Sequence, residues 1–305
     1  MTESRVTAPF GRRLVEVQDR DEHGPYVVLS CPDPDGPLPA AGQFYMLSAQ
    51  ERWGGGEDER PFLPRAFSVL RADRRRAEQG GGVYLQFMLE DVGPGTQRLC
   101  ELRAGDALGL VGPLGQGFRA AREGRRALLV GGGVGIAPLA IWRDALRADT
   151  VTLLGFRDGA HAAGARLLPG AVVATDDGSH GHPGLVTDLL ASQLDRDAHV
   201  EVYACGPPPM LEAVRVICAQ RAIPAQLALE SGMACGFGAC FGCVVATREG
   251  LIRLCVDGPV LDSEELADGA QSSTGLSEAS SLGSFAGAKR PGGAEGGKLP
   301  VVEGP

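Results

Sequence analysis

The chain has 305 residues, of which 44% are hydrophobic; it is too long for one small core, so two or three domains are expected. Its 29 Lys and Arg against 38 Asp and Glu give a formal net charge of −9, which argues against nucleic acid or an anionic membrane as a partner. No apolar run reaches the length of a membrane span and the first residues lack the apolar middle of a secretion signal, so we expect a cytoplasmic protein.

The first 118 residues predict a domain of short antiparallel strands. Four segments rich in β-branched and aromatic residues are separated by Gly, Pro and Asp: PYVVLSC, QFYMLSA, RAFSVLR and GVYLQFML. No clear helical stretch lies between them, which favours a small antiparallel β-barrel over residues 1–118. We expect ERWGGGEDERP at 51–61 to be a polar loop and GPLGQGF at 112–118 to close the barrel with turn residues.

Residues 119–229 change to an alternation of strands and helices. The predicted strands are RALLVGGG, VTLLGF, AVVATDDG, HVEVYACGP and AQLALE, and the predicted helices are APLAIWRDALRA, PGLVTDLLASQL and PPMLEAVRVICAQR. This alternation predicts a parallel, doubly wound α/β sheet. Residues 230–265 follow as a compact Cys-rich unit, and the Gly-, Ser- and Ala-rich residues 266–305 are predicted to be a disordered tail. The expected fold class is a multidomain α+β protein.

A glycine-rich turn follows the first predicted strand of the second domain. Gly133, Gly135 and Pro138 form the pattern G-x-G-x-x-P, in which glycines let backbone N–H groups approach a pyrophosphate at a helix N-terminus. Pro138 suits the first helical turn, where its missing N–H has no energetic consequence. The pattern departs from the Rossmann fingerprint at Pro138, and a plain strand-to-helix turn would explain it equally well.

A second candidate ligand site follows the fourth predicted strand of the same sheet, at Cys205, Gly206 and Pro207. Ligands bind at the carboxyl ends of the strands in open α/β sheets, so Cys205 would point into that crevice and is the candidate catalytic residue. For this segment taken alone, a buried thiol followed by a Pro-rich turn is the simpler interpretation.

Two segments of the predicted barrel have residues suited to a phosphate. Arg65 in RAFS would bind an anion through its planar guanidinium, and Phe67 could stack on an aromatic ring. VGPGT at 92–96 predicts a tight turn with free N–H groups and a hydroxyl. Each signal is weak alone, because an arginine on a strand is more often a solvated surface residue.

Four of the eight cysteines follow the spacing of metal ligands, Cys235-x4-Cys240-x2-Cys243-x11-Cys255. This is the plant-type [2Fe–2S] pattern, and the intervening glycines would let backbone N–H groups reach the cluster sulfurs. Structural zinc usually takes two C-x2–4-C hooks, which this spacing fits less well, and disulfides are rare in a reducing compartment. An iron–sulfur cluster is the favoured interpretation, with zinc as its alternative.

Together, these segments resemble the ferredoxin–NAD(P) reductase superfamily, in which the barrel holds FAD and the nicotinamide meets the flavin between the domains. LESGMACGFGACFGCVV and RLCVDGPV closely resemble the electron-transfer subunits of the bacterial dihydroorotate dehydrogenases that reduce NAD. ATDDGSHGHPGLVTDLL and GPLGQGF match the same subunits. The resemblance covers about residues 5–262 and implies three cofactors: FAD, a [2Fe–2S] cluster and NAD.

The resemblance also implies roles for individual positions. Flavin binding is implied for Arg65, Ala66, Phe67, Ser68, Met88, Leu89, Glu90, Gly95 and Thr96. Cluster ligation is implied for Cys235, Cys240, Cys243 and Cys255. Nucleotide binding is expected of Gly133, Gly135, Pro138, Gly206 and Pro207. Three places depart from the usual pattern: Ala66 replaces a common Pro, Glu90 a common Arg, and Ser231-Gly232 a charged pair.

The function implied by the resemblance is a relay. A separate FMN-containing catalytic subunit would oxidise dihydroorotate to orotate in pyrimidine biosynthesis, and electrons would pass through the cluster and FAD to NAD. The expected assembly is a heterotetramer with two copies of each subunit. Hydrogenases and ferredoxin-dependent NADP transhydrogenases use close relatives of this architecture and are the alternative. A module of another class, a zinc-stabilised nucleotide-binding domain without redox activity, is a second alternative.

The choice between NAD and NADP depends on the residues after the predicted strand VTLLGF. Arg157 could accept a 2′-phosphate, whereas Asp158 could hold a free 2′-hydroxyl. The residues alone leave both possibilities open, and the resemblance favours NAD.

Overall fold

The structure is a computed structural model that describes residues 12–50, 53, 61–74, 82–146 and 150–267. Most of the polar loop expected at 51–61 lies outside the described residues. The tail expected at 266–305 lies outside them as well, apart from its first two positions.

The first part of the described chain forms one antiparallel sheet of seven strands. Its elements are β1 (Arg13–Glu16), β2 (Asp19–His23), β3 (Tyr26–Asp33), β4 (Phe44–Ala49), β5 (Arg65–Asp73), β6 (Val83–Glu90), α1 (Pro94–Cys100) and β7 (Ala107–Leu114). The strand order is β1-β7-β4-β5-β6-β3-β2. The four segments predicted as strands become β3, β4, β5 and β6.

The two ends of this sheet meet, as the prediction of a barrel requires. Arg13 on the edge strand β1 pairs with Asp33 on β3, with 2.8 Å between Nε and Oδ1, and the Asp33 carboxylate is fully buried. Val17 and Gln18 alone separate β1 from β2, the strands at the two ends of the sheet, and the Gln18 N–H donates to the Ser30 carbonyl on β3 at 2.8 Å. Closing a sheet in this way satisfies edge groups that would otherwise face water or another chain.

One helix of the barrel segment differs from the prediction, which had a tight turn at 92–96. Helix α1 begins at Pro94, and the Thr96 hydroxyl accepts from the Val92 N–H and donates to the Gly93 carbonyl, each at 2.9 Å. Proline is favoured at the first position of a helix because its missing N–H would have no partner there. Leu99 at the far end is fully buried, so packing stabilises a helix too short to persist alone.

The second part of the chain forms the expected doubly wound sheet. Its elements are β8 (Arg126–Gly132), α2 (Ile136–Leu146), β9 (Val151–Phe156), β10 (Val172–Thr175), β11 (His182–Pro183), α3 (Val186–Arg196), β12 (Val200–Cys205), α4 (Pro208–Gln220), β13 (Ala225–Ala228) and a later strand, β16 (Val260–Asp262). The strand order is β11-β10-β9-β8-β12-β13-β16. All neighbours pair in parallel except β16, which runs antiparallel to β13 at the edge.

The Cys-rich unit contains one hairpin, β14 (Val244–Thr247) and β15 (Gly250–Arg253). Cys243 and Cys255 belong to the same buried cluster as Phe44 and Met46 of the first sheet and as the apolar residues of the second sheet. The unit is therefore packed against both sheets. Because β16 follows it, the chain returns to the second sheet after the cysteines.

A shared core joins the first and second sheets. It contains Tyr26, Val28, Leu70 and Met88 from the first sheet, Leu154 and Phe156 from β9 of the second, and Ile136, Ala137 and Ala140 from helix α2, which packs on it. Close packing of these side chains fixes how the carboxyl ends of β8, β9 and β12 face the first sheet, and that is where the candidate site lies. Among the helices of the described chain, none is long and apolar enough to cross a membrane.

Candidate active site

A cavity of about 200 Å³ lies where the first sheet, the glycine-rich turn and the Cys-rich unit meet. Residues predicted from separate motifs line it together: Ala66, Phe67, Ser68, Met88, Gly135 and Cys205. Its walls combine apolar side chains with a few polar groups, as is usual for a cofactor site. We refer to it as the first cavity.

One polar atom in the first cavity has no hydrogen-bond partner within the described chain. The Ser231 Oγ is buried and unpaired, and Ser231 lines the cavity together with Ser68 on β5. An unsatisfied buried hydroxyl is unfavourable by about 1–3 kcal/mol unless a ligand or water completes it. The residues present therefore fit a bound group that carries polar atoms on an otherwise apolar ring, as a flavin does.

Strand alternation separates the three residues predicted on β6. Met88 faces the first cavity, whereas Leu89 is fully buried on the other side of the strand in the core of the first sheet. Glu90 returns to the side of Met88 but lines a second cavity, where it pairs with Arg157. Of these three side chains, Met88 alone lines the first cavity.

The residues predicted to bind phosphate come together at the start of α1. The Arg65 guanidinium covers Gly95 so closely that a Cβ at Gly95 would lie 2.5 Å from the Arg65 Nε. Arg65 also donates to the Leu63 carbonyl and lies over the Trp53 ring, with its Cζ 5.7 Å from the ring centroid. Thr96 lies in the same helical turn as Gly95. The Arg65 guanidinium, the backbone of Gly95 and the Thr96 hydroxyl therefore lie close together at the start of α1.

The second cavity, of about 470 Å³, lies along the carboxyl ends of β8, β9, β10 and β12. Two of the predicted nucleotide-binding residues line it, Gly133 and Pro207. Sequence reasoning missed Thr187 and Met210, which also line it. Both come from the starts of α3 and α4, and a helical pattern alone does not tell which helix start faces the crevice.

The other predicted nucleotide-binding residues shape the turns rather than line the second cavity. A Cβ at Gly135 would lie 2.6 Å from the Cys205 carbonyl carbon and oxygen and from the Gly206 Cα, so two loops touch through their backbones there. Pro138 is buried in the first turn of α2, as expected. Gly135 is therefore required for the close approach of the G-x-G turn to the Cys205 loop.

Val134 and Glu230 line both cavities, so the two cavities adjoin each other.

Burial raises the pKa of the Cys205 thiol, and the nearby Glu230 carboxylate raises it further, so Cys205 is a neutral thiol in the first cavity. Burial also raises the pKa of Glu230 to about 7. Glu230 is an exposed residue because it faces the two cavities, while protein surrounds its carboxyl group closely enough for desolvation to raise the pKa. Sequence reasoning missed Glu230, which is the last residue of the predicted strand AQLALE.

The raised pKa of Glu230 has a consequence for stability. Between about pH 4.5 and 7 the folded chain holds a proton that the unfolded chain has released, so this contribution to stability is present below about pH 4.5 and is lost as the pH rises through about 7. Glu230→Gln cannot titrate. We expect the melting temperature of this variant, relative to the native chain, to increase from pH 5 to pH 8. Thermal unfolding of both chains across this range tests the assignment, and parallel profiles would contradict it.

The four cysteines of the predicted cluster lie in one loop unit and form two neighbouring pairs, Cys235 with Cys240 and Cys243 with Cys255. As the side chains stand, no group of three or more His, Cys, Asp or Glu in the described residues is arranged to hold a metal ion. None of the eight cysteines forms a disulfide in the structure.

Backbone N–H groups surround these sulfurs. The Gly242 N–H lies 3.4 Å from the Cys240 Sγ, and the Cys255 N–H lies 3.4 Å from the Cys243 Sγ. Gly236 and Gly238 have φ angles of 79° and 87°, a conformation that glycine adopts readily. A loop that points N–H groups at four thiols fits a thiolate-bound iron–sulfur cluster.

Hydrogen bonding also favours thiolates in part of the set. Burial raises the pKa of Cys235, but donation from the backbone N–H groups of Cys240 and Phe237 outweighs it and lowers the pKa to about 6. Burial and the adjacent Cys243 raise the pKa of Cys255 to about 12. Neighbouring thiolates repel one another, so only part of the set is ionised without a cation.

The exposed side of the cysteine loop is apolar. Cys240 is exposed, and it lies between Phe237 and Phe241, whose side chains are 43% and 63% exposed. Phe241 has a φ of 58°, an uncommon conformation for a residue with a side chain, and its ring lies 5.2 Å from the Arg253 guanidinium. The loop therefore holds two aromatic rings outward beside the one exposed cysteine of the four.

Comparison with known proteins agrees with this geometry. Residues 230–267 match the profile of the iron–sulfur cluster binding domain of dihydroorotate dehydrogenase B. The dihydroorotate dehydrogenase B (NAD(+)) electron transfer subunit of Caldanaerobacter subterraneus subsp. tengcongensis is 37% identical over 238 residues, which cover 76% of this chain and 88% of that protein. The subunit of the same name from Shouchella clausii is 38% identical over 223 residues, or 69% of this chain and 82% of that protein.

A solved structure shows the same fold. The NADH-dependent reduced ferredoxin–NADP oxidoreductase, described for flavin-based electron bifurcation, has a TM-score of 0.69 and 25% identity, covering 86% of this chain and 93% of that chain. These matches confirm the predicted fold class and an oxidoreductase linked to an iron–sulfur centre, FAD and NAD. The chain belongs to the family of electron transfer subunits of dihydroorotate dehydrogenase B (NAD(+)).

Proposed function

We propose that this chain carries electrons from dihydroorotate oxidation in an FMN-containing partner subunit to NAD, through a [2Fe–2S] cluster and FAD. The observation that carries the proposal is the convergence of the predicted sites: the first cavity adjoins the second cavity on one side, and the Cys-rich unit supplies Ser231 and Met233 to it on another. Bound there, the cluster would carry single electrons, and FAD would combine two of them into the hydride that NAD accepts.

Each of the three segments of the chain would bind one of the three cofactors. We propose that residues 1–118 hold FAD, residues 119–229 hold NAD, and residues 230–265 hold the cluster. Ala66, Phe67, Ser68 and Met88 would form the wall against the flavin ring, with the Ser231 hydroxyl completing its polar contacts. Val134 and Glu230 line both cavities, so they would border the place where the nicotinamide meets the flavin ring.

The nucleotide would lie in the second cavity. Gly133 offers bare backbone to a pyrophosphate, with Gly206 and Pro207 on the facing loop. Gly135 and Pro138 set the path of the turn that allows it. Cys205 would face the nicotinamide and the flavin as a neutral thiol, which excludes water from the site of transfer without placing a charge there.

Arg65→Ala is expected to weaken FAD retention at least about tenfold, because the guanidinium over Gly95 is the charged group at the phosphate end of the flavin site. The measurement is the flavin content per chain after exhaustive dialysis of the native and variant proteins. Arg98→Ala, in the last turn of α1, is a control for general loss of positive charge. Equal flavin retention by Arg65→Ala and the native chain would refute the phosphate role.

The partner subunit would bind over the cysteine loop. Cys240 is the exposed cysteine of the four, and the outward rings of Phe237 and Phe241 offer an apolar surface beside it. Binding there would bring the partner's electron donor close to the cluster. The assembly expected from the resemblance, two copies of each subunit, would repeat this contact twice.

The proposed function is tested by an anaerobic absorption spectrum of the chain purified with its native partners, before and after dihydroorotate is added. Bleaching of both the flavin and the iron–sulfur bands is expected. If NADH bleaches the spectrum and dihydroorotate does not, this chain is an NAD-linked relay with another electron source. The similarity to the ferredoxin–NADP oxidoreductase favours that second candidate, and reduced ferredoxin is then the donor to test.

A further inference from the structure

A network of charged side chains bridges the first and second sheets at the wall of the second cavity. Glu90, the last residue of β6, pairs with the Arg157 guanidinium and lies 3.3 Å from the Nε2 of His161. The Nδ1 of His161 is 2.7 Å from the Asp158 carboxylate, which also accepts from the His161 backbone N–H at 2.9 Å. The Glu90 side chain is 15% exposed and that of Arg157 is 59% exposed, so the carboxylate of this pair is shielded from water while the guanidinium stays open.

The position of Arg157 decides what a ligand would meet there. Arg157 directly follows β9, the strand after the glycine-rich turn, and lines the second cavity. In nucleotide-binding sheets an arginine near this place accommodates the 2′-phosphate of NADP, and an acidic residue holds the free 2′-hydroxyl of NAD. Arg157 is the one arginine or lysine that lines this cavity in the described chain, whereas Glu90, Asp176 and Glu230 are carboxylates.

We propose that Glu90 sets the preference of the second cavity for NAD over NADP by occupying the guanidinium of Arg157. The inference rests on the proposed nucleotide site. A 2′-phosphate entering the cavity would have to displace the Glu90 carboxylate from Arg157 and would then face that carboxylate at short range. A free 2′-hydroxyl carries no charge and meets neither obstacle. The selecting residue therefore comes from the proposed flavin-binding segment, at the end of β6.

The test uses the FAD-loaded chain and two probes, ADP-ribose and 2′-phospho-ADP-ribose, whose dissociation constants are measured by titration calorimetry. In Glu90→Gln the affinity for 2′-phospho-ADP-ribose relative to ADP-ribose should rise at least about tenfold, because the freed guanidinium can pair with the phosphate. Arg157→Ala in the same chain should abolish this gain. Asp91→Asn removes an exposed carboxylate of the same strand end and should leave the ratio unchanged. The rates of flavin reduction by NADPH and NADH should follow the same order.

The outcomes separate this inference from the proposed function. If the native chain fails to bind ADP-ribose, the nucleotide site and the inference both fall. If it binds ADP-ribose but Glu90→Gln leaves the ratio unchanged, or the gain survives Arg157→Ala, the inference alone falls. Arg157→Ala in the native background gives a second test that does not depend on the folding of the Glu90 variant. It should not weaken 2′-phospho-ADP-ribose binding, and a tenfold loss would mean that Arg157 is available despite Glu90.

Discussion

Cys240→Ser is expected to abolish the iron–sulfur cluster while the flavin stays bound. A serine hydroxyl remains protonated at neutral pH and is a poor iron ligand, so one of the four positions no longer supplies a thiolate. Cys240 is exposed in the loop, and its replacement should leave the packing of the first cavity intact. The Cys240→Ser variant should contain essentially no iron and as much flavin as the native chain. Iron and flavin are both measured per chain after anaerobic purification.

The matched control is Cys100→Ser. Cys100 ends α1, is buried, and is distant in the fold from the cysteine loop, in the core of the first sheet. This variant should lose some stability, because a hydroxyl replaces a buried thiol, but should keep its iron. Retention of iron by Cys240→Ser would overturn the ligand assignment. Zinc in the native protein in place of iron would favour the zinc-stabilised module instead.

Four of the seven strands of the first sheet and five of the seven of the second were open to prediction, because each is a short run rich in apolar residues with turn residues at its ends; β2, with the sequence DRDEH, has no such run. GVYLQFML thus becomes β6 and VTLLGF becomes β9. Helix α1 was not, since seven residues make two turns, and the Gly and Pro at its start are also turn residues. A short segment of sequence indicates only the local conformational preference of its residues. Helix α1 is stabilised instead by the burial of Leu99 against the rest of the barrel.

Parts of the site could be predicted where one residue type in one segment determines the chemistry. Parts formed by residues from several distant segments could not be predicted. The spacing of the four cysteines and the arginine of RAFS point to their ligands without a fold. Glu230 and Ser231 carry no such pattern, because a strand end becomes the wall of two cavities only when three segments pack around it. Glu90 and Arg157 are far apart in the chain, so the pattern of hydrophobic residues along the sequence does not indicate that they pair.

Gly135→Ala is expected to impair the chain in a way that its sequence neighbourhood does not suggest. The added Cβ would lie 2.6 Å from the Cys205 carbonyl atoms and the Gly206 Cα, and backbone atoms cannot move aside as a side-chain tip can. The two loops must separate, which should reduce stability by about 1–3 kcal/mol. The glycine-rich turn also carries Val134, which lines both cavities, and Cys205 and Pro207 of the second loop line one cavity each, so the rate of flavin reduction by NADH should fall roughly tenfold or more.

Gly132→Ala, three residues earlier, distinguishes this backbone contact from mere crowding in the turn. Its added Cβ would meet the Met210 sulfur at 2.6 Å and the Pro207 Cδ at 3.0 Å. The unbranched methionine can change rotamer to make room, so only the milder contact with Pro207 would remain. We expect a smaller drop in melting temperature and a smaller loss of rate than in Gly135→Ala, both measured on flavin-loaded protein by thermal unfolding and anaerobic stopped flow. Equal effects in the two variants would mean that the turn tolerates no side chain anywhere. A Gly135→Ala chain with native melting and native rate would mean that the Cys205 loop is not held against the glycine-rich turn, and the shared wall of the two cavities would lose its structural basis.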